Sequence, residues 1–323
     1  MRINKILIVL GEPYSTFSEI LIKYFNSKKF LKNKKEIILI GSKSLLEEHL
    51  KILKINLKVN LKLINGIKEA KTKRLNILNI NYTNKKNISK ISSNSSKYIS
   101  DCFNLALDLI KKNKKTVLIN GPISKKYFLK KKYLGVTEYL TKKTNSKKSV
   151  MLIYNNKLAV SPLTTHLPLK FVSKNVTKKK IIMNVIEINK FYENFLNKKP
   201  NIAILGLNPH CETIDRYSEE KNIINPAINF LKKNNLNLDG PFPTDTFFLK
   251  KNIKKYDVVV GMYHDQVLTP LKTLYNFNAI NITLGLPFIR ISPDHGPNEK
   301  MVGKNMSDPS SIFCAMQFID KIK

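Results

Sequence analysis

The sequence predicts an α/β protein with mostly parallel sheets and helices on both faces. Three observations carry this. Short apolar runs ending at a glycine recur, six of them in a chain with 11 glycines. Segments with apolar residues at 3.6-residue spacing lie between the runs. Chemically useful polar residues follow the runs closely, as they do at the carboxyl ends of strands in open α/β sheets. Alternation of strand and helix implies a parallel or mostly parallel sheet. At 323 residues the chain is long enough for two domains or one large unit.

Taken in order, KILIVL before Gly11 reads as the first strand. Its apolar run is too short for the core of a signal peptide and ends in Gly-Glu-Pro. Residues 16 to 26 place Phe17, Ile20, Leu21 and Tyr24 on one helical face. EIILI before Gly41 is the next strand, and LLEEHLKIL then reads as a helix with His49 on its surface. Residues 67 to 97 are rich in Lys and Asn and read as the most loop-like part of the chain; 141 to 148 read as a second surface connection. Residues 98 to 112 and 177 to 196 are helical, as is the C-terminal SSIFCAMQFIDKI. TVLIN before Gly121, NIAIL before Gly206, VVV before Gly261 and NITL before Gly285 complete the strand series. No GxGxxG follows the first strand, so an ordinary Rossmann dinucleotide site is not indicated.

The formal charge of +34 invites a nucleic-acid reading, but the basic residues are nearly all lysine. Only Arg2, Arg74, Arg216 and Arg290 offer the forked guanidinium that nucleic-acid binders favour. The lysines are dispersed and mixed with Asn and Ile, with no aromatic stacking pattern. A basic nucleic-acid-binding protein therefore stays only as an alternative of another class. Cys102, Cys211 and Cys314 form no CxxC pair, which points to a reducing compartment. No stretch reaches transmembrane length. The expectation is a soluble cytoplasmic protein.

The chemistry concentrates in residues 258 to 295, which hold His264, Asp265, Lys272, Arg290, Asp294 and His295. A single loop histidine is usually an ordinary hydrogen-bonding residue. Here His166, His210, His264 and His295 each follow a strand-like segment. Three imidazoles beyond the ends of separate strands can meet at one sheet edge. Three neutral imidazoles with an open position make a catalytic divalent-metal site, most often zinc. Asp245 and Asp265 are candidates to hold an imidazole tautomer or a water.

TTHLPL, GLNPH, GPFPTDTFF, MYHDQ and NITLGLPFIRISPDHG follow one another along the chain, with GEP at 11 to 13 and INGPISK at 119 to 125 before them. Together they resemble the 4-hydroxythreonine-4-phosphate dehydrogenase family of vitamin B6 biosynthesis over nearly the full chain. The resemblance implies an isocitrate/isopropylmalate-dehydrogenase-like fold with two subdomains around a cleft. These are residues 1–128 plus 268–323, and 129–267, the latter carrying the metal ligands and dimer contacts. It implies a homodimer with shared active sites and NAD- or NADP-dependent oxidation of 4-phosphooxy-L-threonine at its C3 hydroxyl. Loss of CO2 would then give 3-amino-2-oxopropyl phosphate. His166, His210 and His264 fall on the family's ligands for one divalent ion (zinc, or magnesium, manganese or cobalt). Thr137, Lys272, Asn281 and Arg290 fall on its substrate-binding positions, with Lys272, Asp245 and Asp265 as the catalytic candidates. SPDHGPNEKMVGKNMSDPSS resembles the nucleotide-binding segment of the wider group, which makes Asp294, His295, Gly296 and Asn305 the cofactor-binding candidates.

An arginine here, in a chain otherwise built with lysine, suits fork-like recognition of a phosphate. Arg290→Lys is therefore expected to weaken use of the phosphorylated substrate and leave stability unchanged. Three departures from the family stand out. GEPYSTFSE lacks two glycines of the corresponding turn, Val136 stands where the family has a histidine, and Ser124 replaces another. With Val136, either another residue contacts the substrate or the substrate differs. The same chemistry on threonate or erythronate 4-phosphate is the alternative.

Overall fold

The computed structural model describes residues 3–82, 90–129, 132–212, 216–276, 278–293 and 296–322. Among them are twelve strands: β1 (Lys5–Val9), β2 (Glu36–Gly41), β3 (Leu61–Leu63), β4 (Leu75–Asn79), β5 (Thr116–Asn120), β6 (Val150–Tyr154), β7 (Ala159–Thr164), β8 (Ile202–Leu205), β9 (Leu238–Phe242), β10 (Val258–Tyr263), β11 (Ile280–Leu284) and β12 (Arg290–Pro293). Contacts divide the chain into two compact units, Met1–Ser146 with Leu286–Lys323, and Lys147–Gly285. Lys272 and Asn281 belong to the second unit, with the three histidines at 166, 210 and 264.

In the first unit the strand order is β3-β4-β2-β1-β5-β12, and every pairing is parallel. Near-continuous apolar runs such as Ile6 to Val9 and Ile37 to Ile40 are buried, as strands covered on both faces require. One cover is the helix Ser95–Lys112, which buries Ile99, Cys102, Phe103, Ala106 and Ile110 along one stripe. Another is Phe17–Phe25, whose Phe17 lies so near Gly121 that a Cβ there would sit 2.3 Å from the ring. Gly121 is therefore needed for close packing.

The second unit has the order β11-β6-β7-β10-β8-β9. β6 runs antiparallel to both β11 and β7, while β7, β10, β8 and β9 are mutually parallel. Val258 to Val260 pair with Ala159 to Ser161 on one side and Ile202 to Ile204 on the other. That register brings the carboxyl ends of β7, β10 and β8 side by side.

Five of the six glycine-terminated runs end as strands at or just before their glycine. The sixth does not stop at Gly261: β10 continues to Tyr263 before a helix, His264–Tyr275, begins. Residues 67–82 and 90–97 are also more ordered than their composition suggested, while 83–89 lie outside the described residues. They contain β4, a short 3₁₀ turn Ile67–Glu69 and the start of the helix at Ser95, because Ile77 and Leu78 pair with β2, Leu75 pairs with β3, and all three enter the core. Tertiary pairing overrides the weak local propensity of such a Lys/Asn-rich stretch.

His49 is not on the surface. It is 2% exposed in the helix Lys43–Leu53, and its Nε2 donates to the Pro13 carbonyl at 2.8 Å. Burial pushes its pKa below the usual imidazole value, although the Pro13 hydrogen bond opposes the shift. A depressed folded-state pKa means the unfolded chain binds the proton more tightly. The His49 contribution is thus present above about pH 6.5 and lost as pH falls through the folded value. A His49→Gln variant is expected to show a shallower decline of Tm from pH 7 to about pH 5 than the wild type. Parallel Tm–pH profiles for the two proteins would rule this out.

Candidate active site

In the second unit, parallel pairing sets the chemistry. Tyr263 is the register partner of Thr164, and Thr164 Oγ1 donates to the Met262 carbonyl at 2.7 Å. His166, two residues past β7, and His264, one residue past β10, consequently lie together with ring centroids 5.8 Å apart. The Asp265 carboxylate engages His264 Nδ1 at 2.6 Å. That contact assigns the proton to Nδ1 and leaves the Nε2 lone pair available as a metal ligand, as carboxylate partners of ligating imidazoles do. Asp265 is exposed and Lys272 half-buried two turns further along the same helix. The chemistry of the two imidazoles suits a shared divalent ion.

His210 also follows a neighbouring parallel strand, β8, on the exposed turn Pro209–Cys211. His210 and Cys211 both adopt left-handed backbone conformations, at φ 56° and 57°. Among the described residues no three His, Cys, Asp or Glu side chains are grouped so as to hold a metal ion. The structure thus pairs His166 with His264 and holds His210 on its own turn.

That turn is held by Glu220, which is fully buried. Its carboxylate accepts from the backbone N–H groups of Leu207 and Asn208 at 2.7 and 2.8 Å. It also accepts from Asn208 Nδ2 at 2.8 Å and Ser218 Oγ at 2.9 Å. Burial raises the Glu220 pKa, but the hydrogen bonds from Asn208 and Leu207 outweigh it and the net shift is downward. Gln266 joins the same place from the other side. Its Oε1 accepts from Met262 N, and its Nε2 donates to the Gly206 carbonyl and to Thr244 Oγ1. Asp245, next to Thr244, is exposed and accepts from Thr246 N at 2.9 Å. On β11, Asn281 Oδ1 is buried and has no hydrogen-bond partner among the described residues.

In the first unit the carboxyl ends of β1 and β5 lie side by side. Arg290, 2% exposed at the start of β12, donates from Nε to Asn120 Oδ1 at the end of β5, at 2.7 Å. Burial lowers the guanidinium pKa to about 10 and the nearby Glu138 carboxylate opposes the shift, so the group is charged at neutral pH. Thr137, beside Glu138 in the first turn of the helix Val136–Lys143, is buried. Val136 packs against the apolar cluster that contains Tyr139 and Leu140, and Ser124 Oγ accepts from Tyr127 N. The altered turn after β1 is tightly packed: Tyr14, Ser15, Thr16 and Phe17 are all buried. Glu12 receives Ser95 Oγ at 2.7 Å, and burial raises its pKa against that bond.

Of the cofactor candidates, Asp294 and His295 lie outside the described residues. Gly296 is exposed, and among the described residues other than its chain neighbours Asn298 Oδ1, at 4.0 Å, is the nearest atom to where a Cβ would point. Asn305 is exposed at φ 56°, and its carbonyl accepts from Lys23 Nζ. Sequence reasoning missed Glu220, Asn120 and the clasp made by Gln266. Asn120 and Gln266 lie within recognised motifs, INGPISK and MYHDQ, but nothing in the sequence around Glu220 marks it.

Parallel strands ending in imidazoles in the second unit, and a parallel sheet with a buried arginine in the first, make up a two-unit α/β fold of the class that dehydrogenases share. The crystal structure of isocitrate dehydrogenase from Methylococcus capsulatus shares that fold, with a TM-score of 0.51 at 10% identity over 98% of this chain and 85% of that one. The family model described as pyridoxal phosphate biosynthetic protein PdxA matches residues 33–319, and the chain belongs to that family. A relative from Sulfurihydrogenibium sp. (strain YO3AOP1), named 4-hydroxythreonine-4-phosphate dehydrogenase, is 39% identical over 324 aligned positions, covering 99% of this chain and 98% of its own. The crystal structure of 4-hydroxythreonine-4-phosphate dehydrogenase from Klebsiella pneumoniae superposes with a TM-score of 0.85 at 25% identity, covering 98% of each chain. No helix among the described residues is long and apolar enough to cross a membrane.

Proposed function

We propose that the chain oxidises 4-phosphooxy-L-threonine at its C3 hydroxyl with NAD or NADP, then releases CO2 to yield 3-amino-2-oxopropyl phosphate. The observation that carries this reading is the His166–His264 pair, with His264 oriented by Asp265, in a chain that matches relatives of this name end to end. The comparisons favour neither a threonate or erythronate phosphate nor a nucleic-acid role.

In this reading His166, His264 and His210 hold a divalent ion, zinc or a similar metal, with the His210 turn completing the set. Such an ion would lower the pKa of the hydroxyl and offset the negative charge that develops as CO2 departs, and a bound nicotinamide would supply the hydride acceptor. The protein's own groups do the rest. Asp265 acts through His264 by holding its tautomer. Lys272 and Asp245 are the side chains available to move the hydroxyl proton. Arg290, Lys272 and Thr137 are the residues assigned to the phosphorylated substrate, Arg290 and Lys272 to its anionic end. Asn281 Oδ1, which lacks a donor of its own, accepts from the substrate. Gly296 and Asn305, with Asp294 and His295, line the nucleotide. The purified protein should reduce NAD or NADP with 4-phosphooxy-L-threonine and lose that activity on exhaustive chelation, with zinc restoring it. Full activity after chelation would sink the metal site, and turnover only of threonate 4-phosphate would reassign the substrate.

The proposal includes a homodimer. The segments bearing His166 and His210 also expose Leu169, Phe171 and Tyr217, at 72, 44 and 72%, and a second copy would cover these apolar side chains. Sedimentation should give a dimer at dilute concentration, and a mixture of His264→Ala and Lys272→Ala chains should recover activity if each site draws on both copies. A fully active monomer would refute the assembly. Free cysteines and a small phosphorylated substrate fit a cytoplasmic enzyme, which cell fractionation would check.

A further inference from the structure

We infer that Glu138 receives the substrate's ammonium group and so sets a preference for a phosphorylated amino acid over the corresponding hydroxy acid. The inference rests on the reading of Arg290 as a residue that holds the substrate's anionic end. Glu138 lies in the first turn of the helix Val136–Lys143, directly after the buried Thr137. An acid in a first turn needs no ligand to explain it, because the helix dipole favours negative charge there. A carboxylate turned fully to water would serve that purpose. Glu138 instead keeps Oε2 buried, with no hydrogen-bond partner among the described residues. A buried oxygen left without a donor carries the full cost of its desolvation.

The neighbouring groups do not supply that donor. Val136 packs against the apolar cluster that holds Tyr139 and Leu140, and its side chain has no polar hydrogen to offer. Among the described residues no cation lies within ion-pair distance of Glu138. Yet the carboxylate is near enough to Arg290 for its charge to oppose the fall in the guanidinium pKa that burial causes. Arg290 is itself oriented by the bond from its Nε to Asn120 Oδ1. A guanidinium and a carboxylate thus stand near each other, both drawn in from water, without closing into a salt bridge.

Opposite charges held near each other but apart suit a ligand that carries both. 4-Phosphooxy-L-threonine has its phosphate on C4 and its ammonium on C2, on either side of the C3 hydroxyl that is oxidised. Threonate and erythronate 4-phosphates have a hydroxyl at C2. That hydroxyl can donate to Glu138 but brings no positive charge, and a hydrogen bond between ionised partners is roughly twice as strong as a neutral one. A ligand with only hydrogen at C2 leaves Oε2 unpaired, and a site built to pair with a donor rejects the analogue that lacks it.

The test is calorimetric titration of the full-length protein, with Zn2+ present and no nicotinamide, so that binding is read apart from turnover. Two ligands are compared, 4-phosphooxy-L-threonine and 3-hydroxy-4-phosphooxybutanoate, which differ only in the amino group. Wild type should bind the amino acid about 10- to 100-fold more tightly, the worth of one charge-assisted hydrogen bond. Glu138→Gln keeps the shape and removes the charge. It should weaken binding of the amino acid, leave binding of the butanoate unchanged and bring the two affinities close together. A purely structural role would weaken both ligands in parallel, with a fall in Tm, and that result overturns the inference. So does a preference for the amino acid that survives in Glu138→Gln. Should that variant not fold, equal affinities for the two ligands in wild type overturn it without any variant. Arg290→Lys separates the two levels. If it leaves both affinities unchanged while Glu138→Gln abolishes the preference, only the assignment of Arg290 fails and that of Glu138 stands. If wild type binds neither ligand, the proposed substrate fails and the role of Glu138 with it.

Discussion

His264→Ala is expected to lower kcat/KM by about three decades and to lose bound metal, with little change in Tm. A metal ion acting as Lewis acid contributes several kcal/mol to transition-state stabilisation, and each decade of rate corresponds to about 1.4 kcal/mol. The side chain is only part-buried, its partners are Asp265 and the ring of His166, and it stands at the first position of a helix that alanine accommodates well. Nothing in the core depends on it. Metal content, kcat/KM and Tm should be measured on the same preparation. A variant that retains the metal and near-wild-type kcat/KM would show that His264 is an ordinary loop imidazole. A large fall in Tm would mean that its role is structural.

Arg290→Lys is expected to lower kcat/KM for the phosphorylated substrate by about one to two decades, the worth of a charge-assisted hydrogen bond of roughly 1.5–3 kcal/mol. Reaction of the unphosphorylated hydroxy acid should be slow in wild type and scarcely altered in the variant. The structure changes the stability side of this expectation. Sequence reasoning anticipated no stability loss, but Arg290 is buried and its Nε donates to Asn120 Oδ1. A lysine ammonium does not reproduce that planar fork, so Asn120 Oδ1 loses its donor and stability should fall by about 1–3 kcal/mol. Arg290→Ala should cost at least as much in stability. If both variants keep wild-type kcat/KM for the phosphorylated substrate, the residue is a structural arginine and has no place in phosphate recognition.

What the sequence by itself determined is largely what repeats or what sits beside a distinctive residue. Apolar runs closed by Gly11, Gly41, Gly121, Gly206 and Gly285 became strands β1, β2, β5, β8 and β11, because a strand buried on both faces must be apolar throughout and its exit favours a residue without a side chain. The helices Phe17–Phe25, Ser95–Lys112, Lys178–Phe191 and Ser310–Lys321 were legible from their 3.6-residue stripes. The histidines were legible as candidates because each follows such a run. Tertiary structure decided the rest. Whether His49 is buried depends on the Pro13 carbonyl, which is distant in sequence and so leaves no local trace. β4 forms inside a Lys/Asn-rich stretch because β2 offers it an edge. The pairing of His166 with His264 follows from the register of β7 on β10, and the left-handed His210 turn follows from a carboxylate ten residues further on that no motif marks. Periodicity and turn chemistry are local and survive in the sequence. Register, burial of single polar groups and the partners that hold a strained turn are set by contacts between distant segments, which exist only once the chain has folded.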